Sequence, residues 1–275
     1  MNFAMKAVQR TAVVPKQTLV LLGPDDSTAT ANRAQMLSKM QRFRGSAYLK
    51  DGAIHSSALD SEGRHCVESD SQSWHVLAVD SHGDVCGCSR YTSYQNYFDF
   101  DRLSVGRSAL AQSDVWAPRL RAAIEGEQRV AWRREASFVE VGGWAIAEHL
   151  RGTTEALRIA LATYALADCL GGCIGVTTAT VRHHSANILR KIGGRPLAAD
   201  DIELPRYYDP QYECEMEILR FDSSDPNPKF VPWIQQIRAE IEDLPVLARH
   251  LRYKQPPVEE TSGDFGGGLQ LAYGW

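Results

Sequence analysis

Between residues 137 and 196 an apolar run, a helical segment and a second β-branched run follow one another with only short turns between them. Phe138 to Ala147 reads as a strand, and Gly142-Gly143 inside it mark a bulge or a close backbone approach. The turn Arg151-Gly152-Thr153-Thr154 opens a helix, with Thr153 placed as N-cap and Glu155 at the positive helix end. Leu157, Leu161, Tyr164 and Asp168 then recur on one face, and Ala156, Ala160, Ala162, Ala165 and Ala167 raise helix propensity. Gly171-Gly172 ends the helix, and Cys173 to Thr178 reads as the next strand. Strand, helix and strand in that order need a parallel crossover. A second helix, Val181 to Ile192, turns Val181, Ile188, Leu189 and Ile192 inward and stops at Gly193-Gly194 before Pro196.

The turn at 151–154 gathers unpaired backbone N–H groups, two hydroxyls and a guanidinium. That donor set suits phosphate or pyrophosphate, and it is also the ordinary make-up of a threonine-capped turn. A net charge of −4 and a pI near 6.1 argue against a dedicated nucleic-acid binder. No apolar run approaches the ~20 residues of a membrane span. The first residues hold Lys6, Arg10 and Lys16 without a secretory apolar core, which points to the cytoplasm. Cys66, Cys86, Cys88, Cys169, Cys173 and Cys214 form no C-x-x-C pair and have no histidines at zinc-ligand spacing, so reduced thiols and no metal centre are expected; a cysteine nucleophile stays open.

Elsewhere, Gln17 to Leu22 reads as a first strand, followed by a helix from about Ala29 to Arg44 and a polar loop from Ala53 to Ser73 that could lie over an active site. Trp74–Asp80 and Asp84–Tyr91 pair as a hairpin through Ser81-His82-Gly83. Residues 92 to 136 read as an insertion. Around it Tyr91, Tyr94, Tyr97, Phe98 and Phe100 either line a pocket or pack a helix of about 114–134 onto the sheet. Arg119, Arg121, Arg129, Arg133 and Arg134 either form a docking face for an acidic carrier protein or a solvated face paired with Glu125, Glu127 and Glu135. Tyr212 to Ile218 alternates like a half-buried strand, and Trp233, Ile237 and Ile241 mark a last helix.

Residues Val141 to Leu157 resemble the acyl-coenzyme A binding segment of the GNAT acyltransferase superfamily, Arg/Gln-x-x-Gly-x-Gly/Ala. Arg151 fills its first place, Gly152 the commonly seen second and Ala156 the last, with Thr154 where glycine is usual. Within the superfamily the chain is most similar to acyl-homoserine-lactone synthases and N-acyl amino acid synthases. The likeness rests on Arg44 with Tyr48, on Arg90 closing Gly87-Cys88-Ser89-Arg90, and on Glu140 as first member of Glu-x-Ser/Thr-Arg, whose last two places are Gly142 and Gly143. It spans roughly residues 30 to 222.

The resemblance implies an α/β (α+β) GNAT-like fold: a central mixed, mostly antiparallel twisted sheet flanked by helices, with a helical insertion and a C-terminal helix. One acyltransferase domain over residues 1–252 is expected, its insertion at about 92–136 and its C-terminal helical region at about 230–252, with 253–275 as a flexible tail. The donor would be acyl-coenzyme A or the phosphopantetheine of an acyl carrier protein. Trp144, Ala145, Ile146 and Ala147 would hold its pantetheine arm, and Arg151, Gly152, Thr153, Thr154, Glu155 and Ala156 its phosphates.

The acceptor would be a small-molecule amine such as an amino acid, with Glu140 as general base or amine anchor. Arg90, a lone charge on an apolar strand, would hold a substrate carboxylate, or pair with Glu140 or Asp80. Leu189 stands where many GNAT enzymes place a tyrosine acid; His183 and His184 are the nearest other proton donors. A catalytically degenerate acyl-coenzyme A binding or regulatory module, or a structural partner protein, are the alternatives.

Overall fold

A computed structural model describes residues 17–24, 31–94, 98–182, 184–247 and 250; the expected tail at 253–275 lies outside them. Five strands come first in the sheet: β1 (Thr18–Leu22), β2 (Trp74–Val79), β3 (Val85–Tyr94), β4 (Ser137–Ile146) and β5 (Cys173–Thr180). Four short strands follow, β6 (Arg195–Pro196), β7 (Ala198–Ala199), β8 (Ile202–Glu203) and β9 (Tyr207–Asp209), before the long β10 (Cys214–Asp222). The main sheet runs β1-β2-β3-β4-β5-β10-β6 with β9 on β10, while β7 and β8 pair separately. Among the described strand pairs only β4 and β5 are parallel, as the helix between them requires.

The helices are α1 (Ala31–Lys50), α2 (Ala117–Arg133), α3 (Glu155–Cys169), α4 (Ser185–Ile192) and α5 (Val231–Ile241). One sheet face carries α1, which covers Leu22, Leu77, Cys88 and Ala145, and α2, which covers Phe138, Ile174, Val176 and Ile218. The other face packs Val76, Tyr91, Val139 and Phe221 against α3 and α5. Alternation along β4 sends Val139 to the α3 side and Phe138 and Glu140 to the α1/α2 side.

Three boundaries differ from the sequence reading. α1 runs on to Lys50 because Gly45 does not end it: a Cβ there would meet Leu59 Cδ2 at 2.8 Å and Gly63 O at 3.0 Å, so the glycine serves close packing of the following loop. β5 extends to Thr180 and α4 begins only at Ser185, after His184 in the left-handed region. β10 starts at Cys214, which leaves Tyr212 in the turn before it.

The insertion is a packed layer. Phe98 stacks on Tyr94 at 4.1 Å and leans on Phe138 at 5.4 Å, so these aromatics seat α2 on the sheet; Tyr97 lies outside the described residues. Of its arginines, Arg121 pairs with Asp101 and Arg134 with Asp222, not with the neighbouring glutamates. All six cysteines are free thiols, and among the described residues no three acidic, histidine or cysteine side chains are grouped to hold a metal. No described helix is long and apolar enough to cross a membrane.

Candidate functional site

The parallel ladder between β4 and β5 runs from Ser137↔Cys173 to Val141↔Thr177 and stops. β4 continues to Ile146 against β3 alone, after an irregularity between Cys88 and Arg90. Gly143, at φ 63°, supplies the kink: its backbone sits where side chains are strained, and a Cβ would lie 3.2 Å from Arg90 Cβ and 3.3 Å from Arg44 Nη1. Beyond Val141 the two strands therefore separate, and the β5-facing backbone of residues 142–146 has no ladder partner among the described residues. A shallow, solvent-open hollow of about 20 Å³ meets the end of this ladder, walled by Val141, Thr163, Tyr164, Thr177, Leu189 and Phe221. Trp144 and Ile146 pack towards α3, and Ala145 towards α1.

The turn after β4 is built around a short helical turn, Glu148–Leu150, and Gly152 at φ 75°. Thr154, not Thr153, occupies the N-cap position of α3, and its side chain caps nothing. Thr153 Oγ1 instead donates to Leu150 O at 2.6 Å and accepts from Glu155 N at 3.2 Å, closing a local loop. The first i→i−4 bond of α3 is Arg158 N to Thr154 O, so the amides of Ala156 and Leu157 stay available at the positive helix end.

Two expected phosphate ligands are already engaged. Arg151 Nη2 bonds both carboxylate oxygens of Asp51, at 2.8 and 2.7 Å. Glu155 is buried against Arg158, which also reaches Glu240, so its carboxylate turns away from the turn. Lys50–Glu148 adds a second tie between the end of α1 and this corner.

On the opposite side of β4, beneath α1, lies a buried polar cluster. Asp70 is its hub, 2% exposed: it accepts Arg44 Nη1 at 3.0 Å, Arg44 Nη2 at 2.6 Å, Gln41 Nε2 at 3.0 Å and Val67 N at 3.1 Å. Burial alone would raise its pKa, but the Arg44 hydrogen bonds outweigh that and hold it well below the usual carboxylate range. His75 Nε2 meets Asp70 O at 2.8 Å, and burial pushes the imidazole down to about 4. Burial and the Arg44 charge lower His65 to about 4 as well. Arg90 points into this cluster from β3, 3.6 Å from Asp70, and forms no ion pair with Glu140 or Asp80, the partners expected for it. Tyr48 stands edge-on to His65 at 5.6 Å and reaches Trp144 O at 3.4 Å.

Glu140 is placed differently from a free base. Its two oxygens accept the backbone N–H groups of Ser104 and Val105, at 3.0 and 2.9 Å, and so pin the insertion to the sheet. Leu189 faces the hollow with no acid beside it on α4, and His183 lies outside the described residues.

No protein-family model and no curated protein sequence matches the chain. Solved structures do. A CoA-dependent acyl-homoserine lactone synthase, BjaI, superposes with a TM-score of 0.53 in its complex with SAM and isopentyl-CoA, at 11% identity, covering 86% of this chain and 99% of BjaI. Its complex with MTA gives 0.52 at 12% identity over the same shares. TofI, in a ternary complex with an inhibitor and MTA, gives 0.50 at 11% identity, covering 81% of this chain and 99% of TofI.

The chain has the fold of the acyl-homoserine lactone synthases.

The mixed, mostly antiparallel sheet with flanking helices is the architecture its motifs pointed to. Within this fold Trp144–Ile146 continue β4 past the end of the β4–β5 ladder, residues 151–156 form the corner that follows, and Arg90 sits behind Gly142. Glu140 is brought to the insertion instead. Asp70, the residue on which the buried cluster turns, carries no sequence motif; its one signal is an acid in a polar loop just ahead of a strand.

Proposed function

We propose that the protein is an N-acyltransferase that moves an acyl group from a thioester carrier, coenzyme A or a carrier-protein phosphopantetheine, to the amine of a small metabolite. The observation that carries this is the fork itself: Gly142 to Ile146 of β4 run on past the end of the β4–β5 ladder, with a hollow at Val141 and the N-terminus of α3 on one side and a buried arginine cluster on the other. A donor laid in the fork would pair its pantetheine amides with the unpartnered edge of β4. Its phosphates would meet the amides of Ala156 and Leu157 and, once Asp51 yields, Arg151. The shared fold supports this, since BjaI was captured with isopentyl-CoA and SAM.

In the reaction the neutral amine attacks the thioester carbonyl, the C–N bond forms, the C–S bond breaks, and the thiolate departs. Backbone N–H groups at the kink face the developing oxyanion. The amine proton passes to solvent, because Asp70 is locked as an anion on Arg44 and Glu140 spends its oxygens on Ser104 and Val105. The thiolate is protonated by water, as Leu189 offers no acid. The free cysteines suit a reducing compartment, and we place the enzyme in the cytoplasm.

A degenerate acyl-coenzyme A binding module is the second reading, favoured by Leu189 and by the engaged Glu140. Free thiol released from acyl-coenzyme A only when an amine is added, with the N-acyl product seen by mass spectrometry, supports transfer. Binding of coenzyme A without release supports the module. Absence of both rejects the pair.

A further inference from the structure

The outer face of α2 carries charge and apolar surface that the fold does not use. Its inner side is spent on packing, with Leu120, Ile124 and Ala131 buried against the sheet and the insertion. Outward, Trp132 is 78% exposed, and Val115, just ahead of the helix, is 68% exposed; no other large apolar side chain among the described residues is as open. Arg129 stands three residues before Trp132 and Arg133 one after it, so the indole and both guanidinia share one helical turn. Neither arginine pairs with a carboxylate among the described residues, nor does Arg119, which lies over the Trp116 ring at 5.3 Å. Arg121 and Arg134 are the arginines of this region that Asp101 and Asp222 hold. On the outer side between Arg119 and Arg133 the one acid is Glu125, because Glu127 is taken by Arg220. A strip of unpaired cations about 21 Å long thus lies on a chain whose net charge is −4.

We propose that this face docks on an anionic lipid bilayer, with Trp132 at headgroup level and Arg119, Arg129 and Arg133 on the lipid phosphates and carboxylates. The proposal stands apart from the acyl-transfer reading. A lone exposed apolar side chain is ordinary. An indole flanked by unpaired guanidinia suits a membrane–water boundary, because its ring is apolar while its N–H seeks a polar partner. The shape of the face favours a bilayer over a protein. Ala122 and Gly126 leave its middle low and open: a Cβ on Gly126 would meet only Arg129 Nη2, at 3.9 Å. A protein partner needs a packed apolar centre within an interface of about 1,000 Å² or more, and here the two apolar groups stand roughly 25 Å apart at opposite ends of the helix. A bilayer needs no such centre. Its surface potential gathers basic residues collectively and decays within a Debye length, so the contact is weak, reversible and salt-sensitive. With its apolar side already packed on the sheet, α2 lies on the surface and does not insert.

The test floats the full chain with vesicles of phosphatidylcholine alone and of phosphatidylcholine with phosphatidylserine, at low and at physiological salt. Binding is expected to the mixed vesicles only, and it should weaken as salt rises. Arg129→Gln and Arg133→Gln should each lower the partition coefficient about 5-fold. Trp132→Ala should lower it about 10-fold and remove the blue shift of tryptophan emission that accompanies binding. Arg42→Gln, at an exposed arginine of α1 paired with Glu62, should leave partition unchanged. All four side chains are exposed, so the melting temperatures should match that of the unaltered chain. Equal binding to both kinds of vesicle, no binding to either at low salt, or an equal loss on Arg42→Gln overturns the proposal. So does an acidic carrier protein, or a second copy of the chain, that is held by this face and lost on the same substitutions while vesicles stay unbound.

Discussion

Replacing Asp70 by asparagine keeps the side chain's size and removes its charge. One asparagine oxygen can still accept a single bond, from Val67 N or from one Arg44 nitrogen, while its new N–H₂ group faces a guanidinium that has nothing to accept with. Arg44, 1% exposed, loses its counter-ion, and Arg90 loses its ionic contact with Asp70. Removing one partner of a buried ion pair costs about 3–5 kcal/mol, because the charge left behind stays buried. For a domain of this size that is a fall of about 6 to 20 °C in melting temperature. Urea unfolding at pH 7 measures it directly. A cycle with Arg44→Met and Asp70→Leu should show coupling of about 2 kcal/mol or more, the double variant being more stable than the single costs would sum to. A cost for Asp70→Asn under about 1 kcal/mol, or additive single effects, would refute the cluster as an interdependent unit.

Three further outcomes are expected. His75 stays neutral in the fold down to about pH 4 but protonates near 6.5 when unfolded, so the unfolded state binds more protons between those values. Stability should therefore fall as pH drops through this window, by about 2 kcal/mol at pH 5 for this group. His75→Gln should flatten the curve, and an unchanged curve contradicts the assignment. Asp70, held below its ordinary value, keeps contributing until the pH falls below about 4. Gly143→Ala places a Cβ against Arg44 and Arg90 at positive φ and should cost at least about 1 kcal/mol together with transfer activity, whereas Gly126→Ala on open helix surface should stabilise by up to about 1 kcal/mol; calorimetry on both checks it. Asp51→Asn should tighten coenzyme A binding by about 2- to 5-fold by freeing Arg151 from a partly exposed pair, as titration calorimetry would show; weaker binding would mean that Asp51 positions the arginine rather than competing for it.

The β4–α3–β5 unit was legible from sequence because its cues are local: an apolar run, alanine-rich 3.6-residue spacing and glycine pairs at the ends. The helix of the 92–136 region was legible for the same reason, while its aromatics left a pocket and packing both open until the structure showed them packed. Arg90 was visible as a charge on an apolar strand, the corner at 151–156 as a donor-rich turn, and Arg44 through the family resemblance, yet their partners were not. Asp70 approaches Arg44 across a separation of 26 residues and Asp51 meets Arg151 across 100, separations that periodicity does not report. Gly45 misled because a glycine needed for close packing looks like one that ends a helix. Thr153 misled by one position: its hydroxyl closes the turn from Leu150 O to Glu155 N, while Thr154 holds the N-cap place.

A crystal structure of the protein with coenzyme A tests the central claim most directly. The account expects pantetheine alongside Gly142–Ile146, between β4 and β5, and phosphate at residues 151–157 with Arg151 turned from Asp51. Coenzyme A lodged elsewhere, with the two strands drawn together beyond Val141, would contradict it.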